Sequence, residues 1–193
     1  WYQRRVRGMT NQPNLSFKIV LLGASGVGKT SFIQSYVYQD YQTDSAASLT
    51  ASYHLTQWCS KTNEKANIKM WDTAGQERFS SMTPMYYRDA DGILIIFDLS
   101  NLDSFEKALE YLKKAEEINQ KAKIVFIGNK CDIVSQENVE QFKQQIDKTN
   151  HQLFLASAKL GQNINESMDH LANLICQDYL CKPKQETVKF NLI

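Results

Sequence analysis

Residues 23–30 read Gly-Ala-Ser-Gly-Val-Gly-Lys-Thr, a match to G-x-x-x-x-G-K-[ST]. The chemistry of such a run is anion capture. Its glycines let the backbone wrap a phosphate with N–H groups, a following helix adds partial positive charge at its N-terminus, and Lys29 adds a full one. Ser25, Gly26, Val27, Gly28, Lys29, Thr30 and Ser31 are therefore expected to line a polyphosphate, with the Thr30 hydroxyl on Mg²⁺. The plainer reading is an ordinary glycine turn. Against it stands the context, because the motif requires a strand before and a helix after, and the residues on either side have both patterns. Alone, the loop specifies a nucleoside triphosphate and no particular base.

Two later segments supply a reading of the base. In Asn129-Lys130-Cys131-Asp132 the ionised Asp132 only accepts, so it can take two hydrogen bonds from the N1–H and exocyclic amine of guanine, a donor pair that adenine lacks. The alkyl stem of Lys130 is long enough to lie over the base plane, and Asn129 can bond the ring edge and neighbouring loops. In Ser157-Ala158-Lys159 the backbone N–H of Ala158 could donate to the guanine O6. Each segment alone could be a surface loop. Their force comes from order and placement, each directly after an apolar run.

Those runs define the elements that must position the chemistry. Strands are expected at 17–22, 51–59, 66–72, 92–98, 123–128 and 152–155, and helices at 29–38, 104–119, 136–148 and 163–180, with Asp103 capping the second helix. Alternation of short apolar runs with amphipathic stretches is the signature of a parallel sheet wound with helices. The polar segment 60–65 joins the second and third strands as an antiparallel edge hairpin. The pattern predicts an α/β class, with six strands in a mostly parallel sheet. Ligands of such sheets bind at the carboxyl ends of the strands.

The 193 residues suit one domain. With 22 Lys and Arg against 21 Asp and Glu, no global field draws nucleic acid or an anionic membrane, so anion binding must be local. Cys59, Cys131, Cys176 and Cys181 have no zinc spacing and read as free thiols of a reducing, cytoplasmic compartment. No stretch is long and apolar enough to predict a membrane span.

Taken together, GASGVGKT, WDTAGQERF, GNKCD and SAK occur in the order and spacing of Ras-like small GTPases, and WDTAGQERF followed by PMYYRDAD most resembles the Rab branch. The resemblance covers about residues 17–180. It implies the six-stranded, doubly wound α/β fold with one antiparallel edge strand and helices on both faces, GTP and GDP as ligands with Mg²⁺, slow hydrolysis, effector, exchange-factor and GTPase-activating partners, and a switch in vesicle trafficking. Tyr41 is then expected edge-on to the base. Asp72 would hold Mg²⁺ through a water, the Gly75 N–H would reach the γ-phosphate, and Gln76 would orient the attacking water. Tyr53, Trp71 and Tyr86 match the effector-facing aromatic positions of Rab proteins, with core packing as the plainer alternative.

The first switch departs from the family. Its spacing puts Ser48 where Thr is usual, as the second Mg²⁺ ligand beside Thr30, and Thr50 where Gly is usual; Thr50 itself would be the ligand if the loop shifts by two residues. These changes predict weaker nucleotide discrimination or slower turnover, and they leave open a nucleotide-binding scaffold with little or no hydrolysis. No arginine is placed to act in cis on the transferred phosphate. Residues 1–16 read as an extension, partly foreign to the native start. Residues 181–193 carry no prenylation motif and read as a tail, a linker or the first strand of another domain, so this chain has no direct membrane anchor of its own unless a longer native chain supplies one.

Overall fold

The computed structural model describes residues 15–38, 52–73 and 83–181. Its sheet has the order β2-β3-β1-β4-β5-β6, formed by β1 (Leu15–Leu22), β2 (Ser52–Cys59), β3 (Lys65–Asp72), β4 (Gly92–Asp98), β5 (Lys123–Asn129) and β6 (Gln152–Leu155). Only β2 runs antiparallel, against β3. The helices are α1 (Lys29–Tyr38), α2 (Thr83–Tyr87), α3 (Leu102–Ile118), α4 (Gln136–Asp147) and α5 (Ile164–Cys181).

Period-two alternation sorts the central strands into two apolar layers. Phe17, Ile19 and Leu21 of β1 join Leu94, Ile96, Val125 and Ile127 under α1 and α5. On the other face Val20 and Leu22 join Ile93, Ile95, Phe97 and Phe126 under α3 and α4. Because helices cover both faces, every residue of β4 is buried, which is why its sequence is a continuous apolar run without alternation. At the sheet edge β2 does alternate, exposing Tyr53, Leu55, Gln57 and Cys59. Its hairpin is closed by the Ser60 hydroxyl, which accepts from the N–H groups of Thr62 and Glu64 at 3.2 and 3.0 Å. It is tied to α5 where the Trp58 indole donates to Asp169 at 2.8 Å.

From β1 the chain builds one side of the sheet and from β4 the other, so the carboxyl ends of these adjacent strands flank a topological switch point, the place where such sheets bind ligands.

Element types agree with expectation, and several boundaries move by one or two residues. Leu15 and Ser16 extend β1 because they find partners in Ala66 and Asn67. β3 starts at Lys65, opposite Cys59. Residue 51, expected in β2, lies outside the described residues. β5 reaches Asn129, which pairs with Asp98. The cap of α3 is Asn101, not Asp103: Asn101 has extended backbone and its side chain accepts from the Ser104 N–H at 3.3 Å, leaving Asp103 inside the first turn. Asn119 is the C-cap of α3 rather than its last residue, and α4 ends at Asp147, one before Lys148. Asn163 has a φ of 55°, so it cannot open a right-handed helix and α5 begins at Ile164. The single-turn α2 was not anticipated. All four cysteines are free, and among the described residues no helix is long and apolar enough to cross a membrane.

Candidate nucleotide-binding site

The loop after β1 is built as its sequence demands. Gly23, Gly26 and Gly28 have φ of 150°, 78° and 96°, and two of them are also forced by space. A Cβ on Gly23 would lie 2.1 Å from the Ile96 carbonyl oxygen, and one on Gly28 would lie 2.3 Å from the Asn129 amide nitrogen. Ser25 and Gly26 are exposed at the tip while Val27 packs into the core, so the loop is pinned at one end and open at the other. Ser31 follows Thr30 into α1. The Lys29 ammonium is buried and donates to the carbonyl oxygens of Gly23 and Ala24 at 2.8 and 2.9 Å, which offsets the cost of placing a charge there. These two bonds hold a full positive charge against the loop's own backbone.

Asn129 joins this loop to the two base-reading segments. Its amide donates to the Val27 carbonyl at 2.8 Å, and its carbonyl oxygen accepts from the Ala158 N–H at 3.0 Å. That N–H, expected to face a base oxygen, is thus already engaged by Asn129 and would have to be shared. Behind it the Ser157 hydroxyl donates to Asp132 at 2.6 Å and accepts from the Leu160 N–H at 3.2 Å. One Asp132 oxygen is thereby fixed while the residue stays exposed. Lys159 follows, also exposed. Backbone bonds from Ala156 to Gly128 and from Cys131 to Ala156 lock the two segments side by side. Between Lys130 and Asp132, burial and then the Asp132 charge push the Cys131 thiol upward, so it stays protonated.

Thr30 and Asp72 lie together, the threonine hydroxyl donating to one carboxylate oxygen at 2.6 Å. The other oxygen of this fully buried carboxylate has no hydrogen-bond partner among the described residues. A buried anionic oxygen left without a donor, next to a hydroxyl, is a donor set suited to a hard divalent cation. The residues fit Mg²⁺, and Thr30 and Asp72 would hold it. Next in the chain, the Thr73 hydroxyl donates to the Leu21 carbonyl at 2.6 Å, fastening the exit of β3 to β1. Tyr41, Ser48, Thr50, Gly75 and Gln76 lie outside the described residues.

Tyr53, Trp71 and Tyr86 form one aromatic row, with ring centroids 5.3 and 6.2 Å apart. Trp71 and Tyr86 are half-buried and pack against the α3–α4 layer, whereas Tyr53 is 48% exposed. The row is therefore rooted in the core and emerges at the surface at Tyr53.

Sequence reasoning missed Asp98 and Ser104. Asp98 ends β4 beside Asn129 and pairs with the Lys130 ammonium at 2.6 Å. Its burial alone would raise its carboxyl, but hydrogen bonds from Lys130 and Ser100 outweigh that and hold it below the usual carboxylate range. The signal was available: a carboxylate closing an otherwise apolar strand is expensive unless paired. Ser104, buried in the first turn of α3, accepts from the Asp98 N–H at 2.9 Å.

A glycine-rich phosphate loop, a neighbouring hydroxyl–carboxylate pair and an Asp-bearing base loop on a doubly wound sheet define a guanine-nucleotide-binding domain of the small GTPase class. A family model described as the Ras family matches residues 18–177. The chain belongs to the Ras family, and within it resembles Rab proteins. It is 34% identical over 179 residues to the Ras-related protein Rab-5A of Dictyostelium discoideum, covering 90% of this chain and 87% of that protein. With the GTP-binding protein YPT53 of Saccharomyces cerevisiae it shares 33% over 172 residues, covering 84% and 78%. The human Ras-related protein Rab-3A is 32% identical over 164 residues, covering 83% and 74%.

Proposed function

We propose that the chain binds GTP and GDP with Mg²⁺ and hydrolyses GTP slowly, recruiting effectors in the GTP state during vesicle trafficking. The observation that carries this reading is the Asn129 side chain, whose two hydrogen bonds bring the phosphate loop and the Ala158 segment to one crevice. In that crevice the backbone N–H groups of residues 25–31 and Lys29 grip the phosphates. Thr30, Asp72 and Ser48 serve the metal, which neutralises phosphate charge, and Asp132 selects guanine through its two acceptor oxygens. Gln76 orients the attacking water. Trp71 precedes Asp72, and Tyr53 pairs with it across the hairpin, so a change at the metal ligand is transmitted within one strand position to the aromatic row. That proximity favours the row as the surface that effectors read. The protein works in the cytoplasm and on endomembranes, and activating and exchange factors set its cycle.

Replacing Asp132 by Asn gives one acceptor and one donor in place of two acceptors, so preference should move from guanine toward xanthine nucleotides. Unchanged GTP affinity in D132N would remove the assigned base contact. Turnover at fixed Mg²⁺ with and without Gln76→Leu separates the switch from a scaffold: a switch loses most of its hydrolysis in Q76L, and equal rates would show that Gln76 positions no water.

A further inference from the structure

Asp98 lies on neither the phosphate loop nor either base-reading segment, yet its surroundings are built around holding its carboxylate still. Its backbone N–H bonds to the Ser104 hydroxyl at 2.9 Å. One carboxylate oxygen accepts from both the N–H and the hydroxyl of Ser100, at 2.9 and 2.6 Å. The other accepts from the Lys130 ammonium at 2.6 Å. The carboxylate side chain is 11% exposed and the lysine side chain 36%, so the anion is the fixed partner and the cation the mobile one. Lys130 needs such fixing. Its φ of 65° places a non-glycine residue in the left-handed region, and its ammonium meets Asp98 at the end of β4.

We infer that Asp98 is a positioning residue for guanine binding: its carboxylate, anchored by Ser100 on a backbone held by Ser104, tethers the Lys130 ammonium so that the alkyl stem is laid out as a fixed wall for the base. This rests on the reading of Lys130 as the residue over the base. A free lysine stem must lose several rotatable bonds when a nucleotide arrives, and a tethered one has lost them already. The tether acts on the base end of the ligand and leaves the phosphate and metal contacts untouched. Through the Ser104 hydroxyl, which bonds the Asp98 backbone, the tether is also tied to the first turn of α3.

The test is GDP release from the full chain, followed by exchange against excess unlabelled nucleotide. Four variants are compared with the parent: Lys130→Ala, Lys130→Met, Asp98→Asn and the double substitution K130M/D98N. Lys130→Ala tests the underlying reading, since it removes the stem, and release at the parental rate would end both that reading and the inference. Lys130→Met keeps an unbranched stem but has no ammonium to tether. A charge-assisted hydrogen bond of this kind supports an expectation of about tenfold faster release in D98N. K130M should match it, and the double variant should be no faster than either single one, because each removes the same tether. Fast release in K130A with parental release in D98N would overturn the inference alone. So would additive effects in the double variant, which would mean that Asp98 acts through general loosening of the loop and not through Lys130.

Discussion

At the scale of single residues, Asn129 does more than its place in a short motif requires. Its two partners come from segments 102 and 29 residues away in sequence, and both are buried. Truncation to Ala would leave the Val27 carbonyl and the Ala158 N–H without a partner in a place water does not easily reach. Orphaning buried groups of this kind costs about 1–3 kcal/mol each. Asn129→Ala is therefore expected to lower unfolding free energy by about 2–6 kcal/mol in urea and to weaken GDP binding at the same time. Asp132→Asn, by contrast, should change base preference with little loss of stability, because the exposed Asp132 keeps an acceptor for Ser157. Equal stability of N129A and the parent would mean that the clamp contributes nothing to the fold.

At the scale of elements, local chemistry decides the boundaries that periodicity leaves loose. Apolar spacing located α3, but the cap it suggested, Asp103, is two residues late, since Asn is as good a capping residue as Asp and spacing alone does not rank them. The structure chooses Asn101, whose extended backbone lets its side chain reach the Ser104 N–H. Asn101→Ala should then cost about 1 kcal/mol of stability, while Asp103→Ala should cost only the few tenths typical of a charge near a helix N-terminus. Thermal unfolding of the two variants checks the order, and a reversed order would return the cap to Asp103. The phosphate and base motifs were legible because their residue types are dictated by ligand chemistry at fixed spacing. Asp98 was not, because its meaning lies in register: only pairing of β4 with β5 brings it beside Asn129 and Lys130. The short α2 has too few residues to show a period, and the left-handed Asn163 gives no sign in composition.

At the scale of the whole molecule, the sheet separates two kinds of aromatic residue that look alike in sequence. Phe97, Phe105 and Phe142 meet with centroids 4.9 to 5.3 Å apart, knitting β4, α3 and α4 into one layer in which each ring is essentially buried. Tyr53, Trp71 and Tyr86 form a second group that begins at that layer's margin and runs out to solvent. If the first group is core and the tip of the second is recognition surface, stability should divide accordingly. Phe142→Ala leaves a cavity among well-packed neighbours and is expected to cost about 3–5 kcal/mol. Tyr53→Ala removes a half-exposed ring from an edge strand and should stay within about 1 kcal/mol of the parent. Trp71→Ala should fall between them, since its ring is half-buried, contacts both neighbours and lies 5.8 Å beneath the Lys18 ammonium. Urea titration of the three variants orders them directly. A Tyr53→Ala loss as large as that of Phe142→Ala would make the whole aromatic row structural, and the surface offered to effectors would have to be sought elsewhere on the molecule.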